Sequence, residues 1–384
     1  MSHKKPVRLL MVATVERTLS SFLLPYAEHF RAQGWVVDGM ASGISSSPKC
    51  LASFDQTWEM EWNRDPRSLK NISAMARVRQ IVDECRYDLV HVHTPIASFM
   101  TRLALREARR RSGVKVVYTA HGFHCHPAGG RVANAVFCGL EKLAGRWTDA
   151  LVVINHEDER LARRLSLAGK GRTYYMPGIG VDLDRFSRAK VSAQAVEKVR
   201  EELGLAREGR LFLMVAALEP GKRHADAVRA LQLSGLVDAH LVFAGAGPEA
   251  ERIRALARRL GVGGRVHLLG ARDDVPVLLA ASTALVLPSA REGLPLSVLE
   301  AMAMKTPVIG TRIRGTSELL DGGAGILVGL GDVQALSEAM SRIVTRPAEA
   351  QAMAERAGGR VRRYALSEIL RLHEHMYEEL LHFR

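Results

Sequence analysis

The chain alternates short apolar runs with amphipathic segments, and this alternation limits the folds that it can adopt. In the first half, strands are predicted at residues 8–13, 35–40, 89–93, 114–119 and 151–154. Apolar residues at helical spacing predict helices at 22–34, 68–85, 99–111 and 157–167. Strands that alternate with helices in this way pair in parallel, and the helices cover both faces of the sheet.

The second half repeats this pattern after a turn-rich segment at residues 176–182. Strands are predicted at 211–216, 240–243, 266–269, 284–287 and 307–310, and helices at 249–260, 297–303 and 367–381. A chain of 384 residues is too long for one typical core. We therefore predict an α/β protein with two doubly wound, Rossmann-like parallel-sheet domains that face each other across a cleft, with ligands at the carboxyl ends of the strands.

Positive charge is concentrated in the first half of the chain. The net charge is +13, and residues 1–190 carry 29 Lys and Arg against 18 Asp and Glu, a net of +11. Nucleic acid, an anionic membrane surface, an acidic substrate or simply a solvated arginine-rich surface would each explain this excess. Only 5% of the residues are aromatic, which argues against a base-stacking platform and hence against nucleic acid.

The sequence also indicates a compartment. The apolar run at residues 7–12 is as long as a strand, and a membrane span needs about 18 apolar residues or more. The four cysteines have no pairing pattern: Cys50, Cys85, Cys125 and Cys138. These features favour a protein of the reducing cytoplasm without a signal peptide.

The segment 290–303 combines two carboxylates with a loop that leads into a helix. Unpaired backbone N–H groups at a helix start bind diphosphates, and Gly293 lets the backbone approach a ligand closely. Glu292 precedes the predicted helix and Glu300 lies about one turn inside it, so they can accept hydrogen bonds from different hydroxyls of one long ligand. A capped helix with two surface glutamates is the simpler alternative, but the strand–loop–helix context favours a binding site.

This segment resembles the paired-glutamate signature of the retaining glycosyltransferases of family 4, which have the GT-B fold, and the resemblance covers nearly the whole chain. In that family the first glutamate, here Glu292, contacts the transferred sugar, and the second, here Glu300, binds the ribose. The backbone that holds the sugar and the β-phosphate corresponds to Gly293, Leu294, Pro295 and Leu296. The resemblance implies an acceptor-binding domain of residues 1–178 with a C-terminal helix at about 365–384, and a nucleotide-sugar donor-binding domain of residues 179–364.

Three further segments resemble the donor side of the family. Lys222 follows the first strand of the second half, where a lysine of the family neutralises the donor pyrophosphate. Many members carry an arginine five positions earlier, but this chain has Ala217 there, and Arg223 is the candidate to replace it. Gly245 lies in a glycine turn that the family places near the donor, and Arg272 follows the strand whose next residue touches the nucleotide base. Solvated surface cations are the alternative interpretation of Lys222 and Arg272.

The N-terminal half contains an unusual cluster after its strand at 114–119: His121, His124, Cys125 and His126. These residues share no helix face and lack a second cysteine pair at zinc spacing, so a metal site is not expected. The resemblance implies that His121 is the strand-end histidine of the family, a catalytic residue that hydrogen-bonds the donor sugar and stabilises developing charge. A buried core histidine without catalytic function is the alternative.

Strings at residues 93–98, 147–149 and 154–158 resemble the bacterial exopolysaccharide and capsule branch of the family. Its members are similar to enzymes that extend a sugar on an undecaprenyl diphosphate carrier. The resemblance therefore implies a UDP-sugar donor, a polyprenyl-diphosphate-linked acceptor and a peripheral position at the anionic inner face of the plasma membrane, which suits the charge of +11 in residues 1–190. A soluble small-molecule acceptor stays open.

The implied reaction transfers a hexose or N-acetylhexosamine with retention of configuration. Lys222 and the N–H groups after Glu292 are expected to hold the diphosphate, so no divalent metal or other cofactor is expected. A sugar-nucleotide epimerase of the same fold type and a non-catalytic binding protein stay open as alternatives. A nicotinamide-dependent dehydrogenase is excluded, because residues 14–18 after the first strand have no glycine fingerprint.

Overall fold

The structure is a computed structural model that describes residues 5–63, 65, 68–123, 130–206 and 208–382. The chain forms two compact units. Unit 1 consists of Met1–Ile179 with Ile369–Arg384, and unit 2 of Gly180–Glu368.

Unit 1 contains a parallel sheet of seven strands in the order β3-β2-β1-β4-β5-β6-β7. The strands are β1 (Arg8–Val15), β2 (Val36–Ser42), β3 (Thr57–Glu59), β4 (Leu89–Val92), β5 (Lys115–Ala120), β6 (Ala150–Val153) and β7 (Arg172–Tyr175). Its helices are α1 (Glu16–Phe22), α2 (Leu24–Ala32), α3 (Pro48–Ser53), α4 (Lys70–Cys85), α5 (Pro95–Ala104), α6 (Ala108–Ser112), α7 (Arg131–Gly145) and α8 (His156–Leu165). The central strands β1, β4, β5 and β6 are buried along nearly their whole length, which explains why they read as continuous apolar runs.

Unit 2 contains a parallel sheet of six strands in the order β10-β9-β8-β11-β12-β13. The strands are β8 (Arg210–Val215), β9 (Ala239–Ala244), β10 (Val266–Gly270), β11 (Ala284–Leu287), β12 (Val308–Thr311) and β13 (Ile326–Val328). Its helices are α9 (Ala193–Glu202), α10 (His224–Leu233), α11 (Ala250–Arg259), α12 (Val275–Ala281), α13 (Leu296–Ala303), α14 (Arg314–Leu320), α15 (Val333–Thr345) and α16 (Pro347–Arg360). The last helix, α17 (Leu366–His382), belongs to unit 1 from Ile369 onward.

The prediction of two parallel α/β sheets is confirmed, but several predicted elements were wrong in detail. The helix predicted at 22–34 is α2, which begins at Leu24 with Pro25 in its first turn, and the separate helix α1 before it was missed. The helix predicted at 99–111 starts earlier, at Pro95, and breaks into α5 and α6. The strands β3, β7 and β13 were missed, since they have three or four residues and lack a long apolar run. Among the described residues, no helix is both long enough and apolar enough to span a membrane.

Candidate functional site

The strand order of unit 2 defines where a ligand is expected. The chain runs outward from β8 through β9 to β10, and then crosses to β11 on the other side of β8. The strand order therefore reverses between β8 and β11, and such a topological switch point is where open α/β sheets bind ligands. The loop after β8 carries Lys222, and the loop after β11 carries Glu292.

These two loops contact each other directly. The backbone N–H of Ala290 donates to the carbonyl of Gly221 at 2.9 Å. Lys222 Nζ lies 2.7 Å from Glu292 Oε1, and both side chains are largely covered. The structure therefore brings together two predicted site residues that are 70 positions apart in the sequence.

The start of α13 offers backbone donors next to this ion pair. Pro295 occupies the N-cap position and no side chain caps the helix, so its first N–H groups are left for solvent or a ligand. Leu296 is the first helical residue, whereas Gly293 and Leu294 form the bend before it. Leu294 and Pro295 are buried, which anchors the loop. The helix begins one residue before the predicted range of 297–303, directly after the Gly/Pro loop, as the sequence predicted.

Glu300, in the middle of α13, is an unusual carboxyl group. No described residue forms a hydrogen bond with it, and burial raises its pKa to about 8, although the charge of Arg185 acts in the opposite direction. A half-buried carboxyl without a protein hydrogen-bond partner is poorly solvated when it is ionised. A ligand that donates hydroxyl groups to Glu300 would supply the missing hydrogen bonds.

Glycines let the loops of this site approach each other. A Cβ on Gly245 would lie 1.9 Å from the carbonyl oxygen of Ala216, so only glycine fits against the β8 loop. A Cβ on Gly315, at the start of α14, would lie 2.3 Å from the carbonyl oxygen of Gly293. Gly315 was not predicted, because a single glycine in a helical pattern gives no signal of what it packs against.

Two predicted donor ligands have protein partners in this structure. Arg223 has a left-handed backbone (φ +57°) and its Nε donates to Asp226 Oδ2 at 2.5 Å. The guanidinium of Arg272 donates to Glu202 at 2.7 Å and to Asp274 at 2.7 Å, and these carboxylates raise its pKa. No described contact joins either guanidinium to Lys222 or Glu292. The roles of Arg223 and Arg272 in donor binding stay predictions.

In unit 1, the half-buried His121 lies just after the end of β5 and contacts a cluster of buried histidines. Its Nε2 atom is 3.4 Å from Nδ1 of His93, and the two rings stack. His91 Nε2 lies 2.7 Å from Thr119 Oγ1, and its Nδ1 lies 2.5 Å from the hydroxyl of Tyr377 on α17. The sequence prediction missed His91 and His93, although their alternation along one strand places both on the same face.

Burial sets the protonation of this cluster. It lowers the pKa of His121 to about 4, with a further contribution from His373, and lowers the pKa of His91 and His93 well below the usual value. All these rings are therefore neutral near neutral pH and can donate or accept a hydrogen bond. His124, Cys125 and His126 lie outside the described residues. Among those described, no three His, Cys, Asp or Glu side chains form a group that could hold a metal ion.

Comparison with known proteins identifies the family. Residues 21–185 match the family described as Glycosyltransferase Family 4, and residues 195–360 match Glycosyl transferases group 1. The Bacillus subtilis protein named glycosyltransferase EpsD is 33% identical over 343 residues, which cover 88% of each chain. An Escherichia coli protein named UDP-Gal:alpha-D-GlcNAc-diphosphoundecaprenol alpha-1,3-galactosyltransferase is 30% identical over 282 residues, 72% of this chain and 71% of the relative.

Solved structures show the same fold. The crystal structure of Anabaena Alr3699/HepE in complex with UDP and glucose matches with a TM-score of 0.80, at 20% identity, over 97% of this chain and 100% of that one. Sucrose-phosphate synthase from Thermosynechococcus elongatus matches with a TM-score of 0.81, at 21% identity, over 98% and 100%. The family match and the similarity to EpsD show that the chain belongs to the family 4 glycosyltransferases. Its two parallel sheets are those of the GT-B fold of that family.

Proposed function

We propose that this glycosyltransferase transfers a hexose or N-acetylhexosamine from a UDP-sugar to a hydroxyl group of a lipid-diphosphate-linked glycan in bacterial surface polysaccharide synthesis, with retention of configuration. The observation that carries the proposal is the Lys222–Glu292 ion pair of 2.7 Å beside the uncapped start of α13. It combines a cation, backbone donors and a carboxylate, which are the groups that a diphosphate and its sugar require.

The donor diphosphate is assigned to Lys222 and the first N–H groups of α13. In the free protein Glu292 neutralises Lys222, and a bound diphosphate would take over the lysine and free the carboxylate for sugar hydroxyls. Lys222 and the N–H groups stabilise the leaving phosphate more strongly as negative charge develops on it. Because a lysine and a helix start supply this stabilisation, we propose that no divalent metal is required.

The nucleotide is assigned to Glu300, whose half-buried carboxyl lacks a hydrogen-bond partner among the described residues. The two ribose hydroxyls would donate to it. The choice of uridine is supported by the name of the Escherichia coli relative, which specifies UDP-Gal, and by the Anabaena structure with UDP and glucose. His121 keeps the role that the family resemblance implies, a hydrogen bond to the transferred sugar.

Retention is proposed to follow a front-face displacement. The bond from the sugar carbon to the phosphate oxygen breaks as the acceptor oxygen forms its bond on the same face. The acceptor proton goes to the leaving phosphate oxygen, so that no enzymatic nucleophile is needed. The lipid-linked acceptor is supported by the diphosphoundecaprenol in the name of the Escherichia coli relative and by the charge of +11 in residues 1–190.

A transfer assay tests the proposal. Purified protein is incubated with labelled UDP-sugars and a polyprenyl-diphosphate-linked N-acetylglucosamine, and the anomeric configuration of the product is read by NMR. We expect a lipid-linked product that retains the configuration of the donor. Inverted configuration would contradict the mechanism, transfer to a soluble acceptor alone would contradict the acceptor, and epimerisation of the donor without transfer would contradict the reaction.

A further inference from the structure

Helix α7 of unit 1 has its aliphatic side chains on the outside. Val132 is 80% exposed, Val136 54%, Leu140 41% and Leu143 39%. Their spacing of four, four and three positions places them in one stripe along the helix. Ala135 and Gly139, which border this stripe, are exposed as well. We call the four residues of this stripe the α7 outer face.

The opposite side of α7 carries the acidic group. Glu141 is directed into unit 1, where Oε2 accepts from Arg102 at 2.9 Å and Oε1 accepts from the Tyr118 hydroxyl at 3.1 Å. A helix at a water-exposed surface normally has its charges outside and its aliphatic residues inside. In α7 the one carboxylate is directed inward and the four aliphatic residues are exposed, so the α7 outer face is suited to contact with an apolar phase.

Cations accompany the α7 outer face. Lys142 and Arg146 are exposed at its C-terminal end, and Arg109 Nη1 donates to the carbonyl of Arg146 at 3.4 Å. That contact brings α6 to this end of α7, together with the exposed Arg110 and Arg111. The one acidic residue of α7 points inward, so the α7 outer face is bordered by positive charge without a balancing carboxylate on the same helix.

We propose that the α7 outer face docks into the interfacial region of an anionic lipid bilayer, with Lys142, Arg146 and the arginines of α6 against the headgroups. An apolar stripe beside a basic border is the pattern of helices that lie in a membrane interface. A symmetric dimer through this face would place like charges of two copies against each other, which disfavours a second copy as the occupant. The inference rests on the proposed function, since it brings the enzyme to the surface where a lipid-linked acceptor resides.

Vesicle binding tests the inference. The whole protein is sedimented with vesicles of phosphatidylcholine alone or mixed with phosphatidylglycerol. We expect binding to the mixed vesicles that weakens with salt, and a loss of at least about tenfold in V136D/L140D, since both side chains would leave the apolar layer. K142E/R146E should bind the mixed vesicles more weakly, with a loss of affinity of about fivefold or more for each cation replaced. V136S/L140S provides a milder replacement should the double aspartate variant fail to fold.

Val237→Asp in unit 2 is the matched control, because Val237 is 76% exposed and lies outside α7. It should bind vesicles like the wild type. Equal binding of V136D/L140D and wild type, or no binding of the wild type to mixed vesicles, would overturn the inference. So would a wild-type dimer that V136D/L140D converts to monomers. Transfer to a short-chain acceptor in detergent separates the two proposals: V136D/L140D should retain it, whereas failure of the wild type there would refute the proposed function.

Discussion

At the scale of single residues, Lys222 and Glu292 are paired in the free protein, so replacing one of them also changes the environment of the other. Removing the lysine takes away the cation of the proposed diphosphate site and leaves a largely covered carboxylate unpaired. Lys222→Ala is therefore expected to lower kcat/KM for the donor by about a hundredfold to a thousandfold, as observed when a group that stabilises transition-state charge is lost. Steady-state kinetics of sugar transfer measure this.

Lys198→Ala supplies the control for that variant, because Lys198 is an exposed lysine on α9. It should leave kcat/KM unchanged. A Lys222→Ala enzyme with the transfer rate of the wild type would remove Lys222 from the site.

Glu300 gives a second residue-scale prediction, in which stability and binding change in opposite directions. Its folded-state pKa of about 8 lies above the ordinary value of 4.5, so the native state favours the protonated form. The stability that this provides is complete below pH 4.5 and is lost as pH rises through 8, at up to about 1.4 kcal/mol per unit. Glu300→Gln should therefore raise the melting temperature at alkaline pH and much less near pH 4.5, while it weakens UDP binding.

Differential scanning calorimetry across this pH range, with isothermal titration of UDP, measures both effects. Gln351→Glu, a change at an exposed position of α16, serves as the control for a single charge difference. If Glu300→Gln bound UDP as tightly as the wild type, Glu300 would not hold the ribose.

At the scale of elements, close approaches between loops shape the site. Gly315 on α14 packs against the loop between β11 and α13, which we call the donor loop, and a Cβ there would lie 2.3 Å from the carbonyl oxygen of Gly293. Because that atom belongs to the backbone, Gly315→Ala must displace the loop. We expect at least about a tenfold loss of donor kcat/KM, since small misplacements of positioning groups are costly.

Gly264→Ala is the matched control for this prediction, because a Cβ on Gly264 meets no atom within 4 Å. It should change neither stability nor kinetics measurably. Normal kinetics in Gly315→Ala would show that the position of the donor loop does not depend on α14.

The sequence predicted elements best where one strand or helix carries its own signal. The strand at 284–287 and the helix at 297–303 are close to β11 and α13, because a buried apolar run and a helix after a Gly/Pro loop are local features. The contact between the β8 and β11 loops could not be predicted, since no local sequence pattern indicates that the N–H of Ala290 donates to the carbonyl of Gly221. The strand β7 was missed because its side chains are only partly buried.

At the scale of the whole molecule, the histidine cluster should make unit 1 sensitive to acid. Unit 1 buries His91, His93 and His373 beside the half-buried His121, and loss of solvation lowers the pKa of His121 and His373 to about 4 from 6.5. The unfolded state then binds more protons, so the stability contributed by these neutral rings is complete above pH 6.5 and is lost as pH falls towards 4. We predict that unit 1 becomes less stable over this range, by up to about 1.4 kcal/mol per pH unit for each histidine.

Tryptophan fluorescence during urea unfolding measures unit 1 selectively, because Trp35, Trp58, Trp62 and Trp147 all lie in it. His373→Gln should reduce the pH dependence of the free energy of unfolding. His382→Gln, a change at an exposed position of the same helix, should not. A free energy of unfolding that stayed constant from pH 6.5 to 4 would contradict the assignment of neutral buried rings.

The histidine cluster also shows what sequence reasoning misses at this scale. His121 could be predicted because it ends a strand within a recognisable motif. His91 and His93 meet it only through the pairing of β4 with β5, and Tyr377 contacts His91 from 286 positions further along the chain. No local pattern contains that information, so the environment that sets the pKa of His121 follows only from the tertiary structure.

Nucleotide binding to unit 2 is the direct test of the proposed donor site at Lys222 and Glu300. A ligand that binds only the folded state raises its stability, by about 2.7 kcal/mol at a hundred times the Kd. Thermal unfolding is followed with UDP, GDP and ADP for the wild type and for the double variant K222A/E300Q. We expect UDP to stabilise the wild type more than GDP or ADP does, and this stabilisation to disappear in K222A/E300Q. Equal stabilisation of the wild type and the double variant by UDP, or none in the wild type, would contradict this expectation.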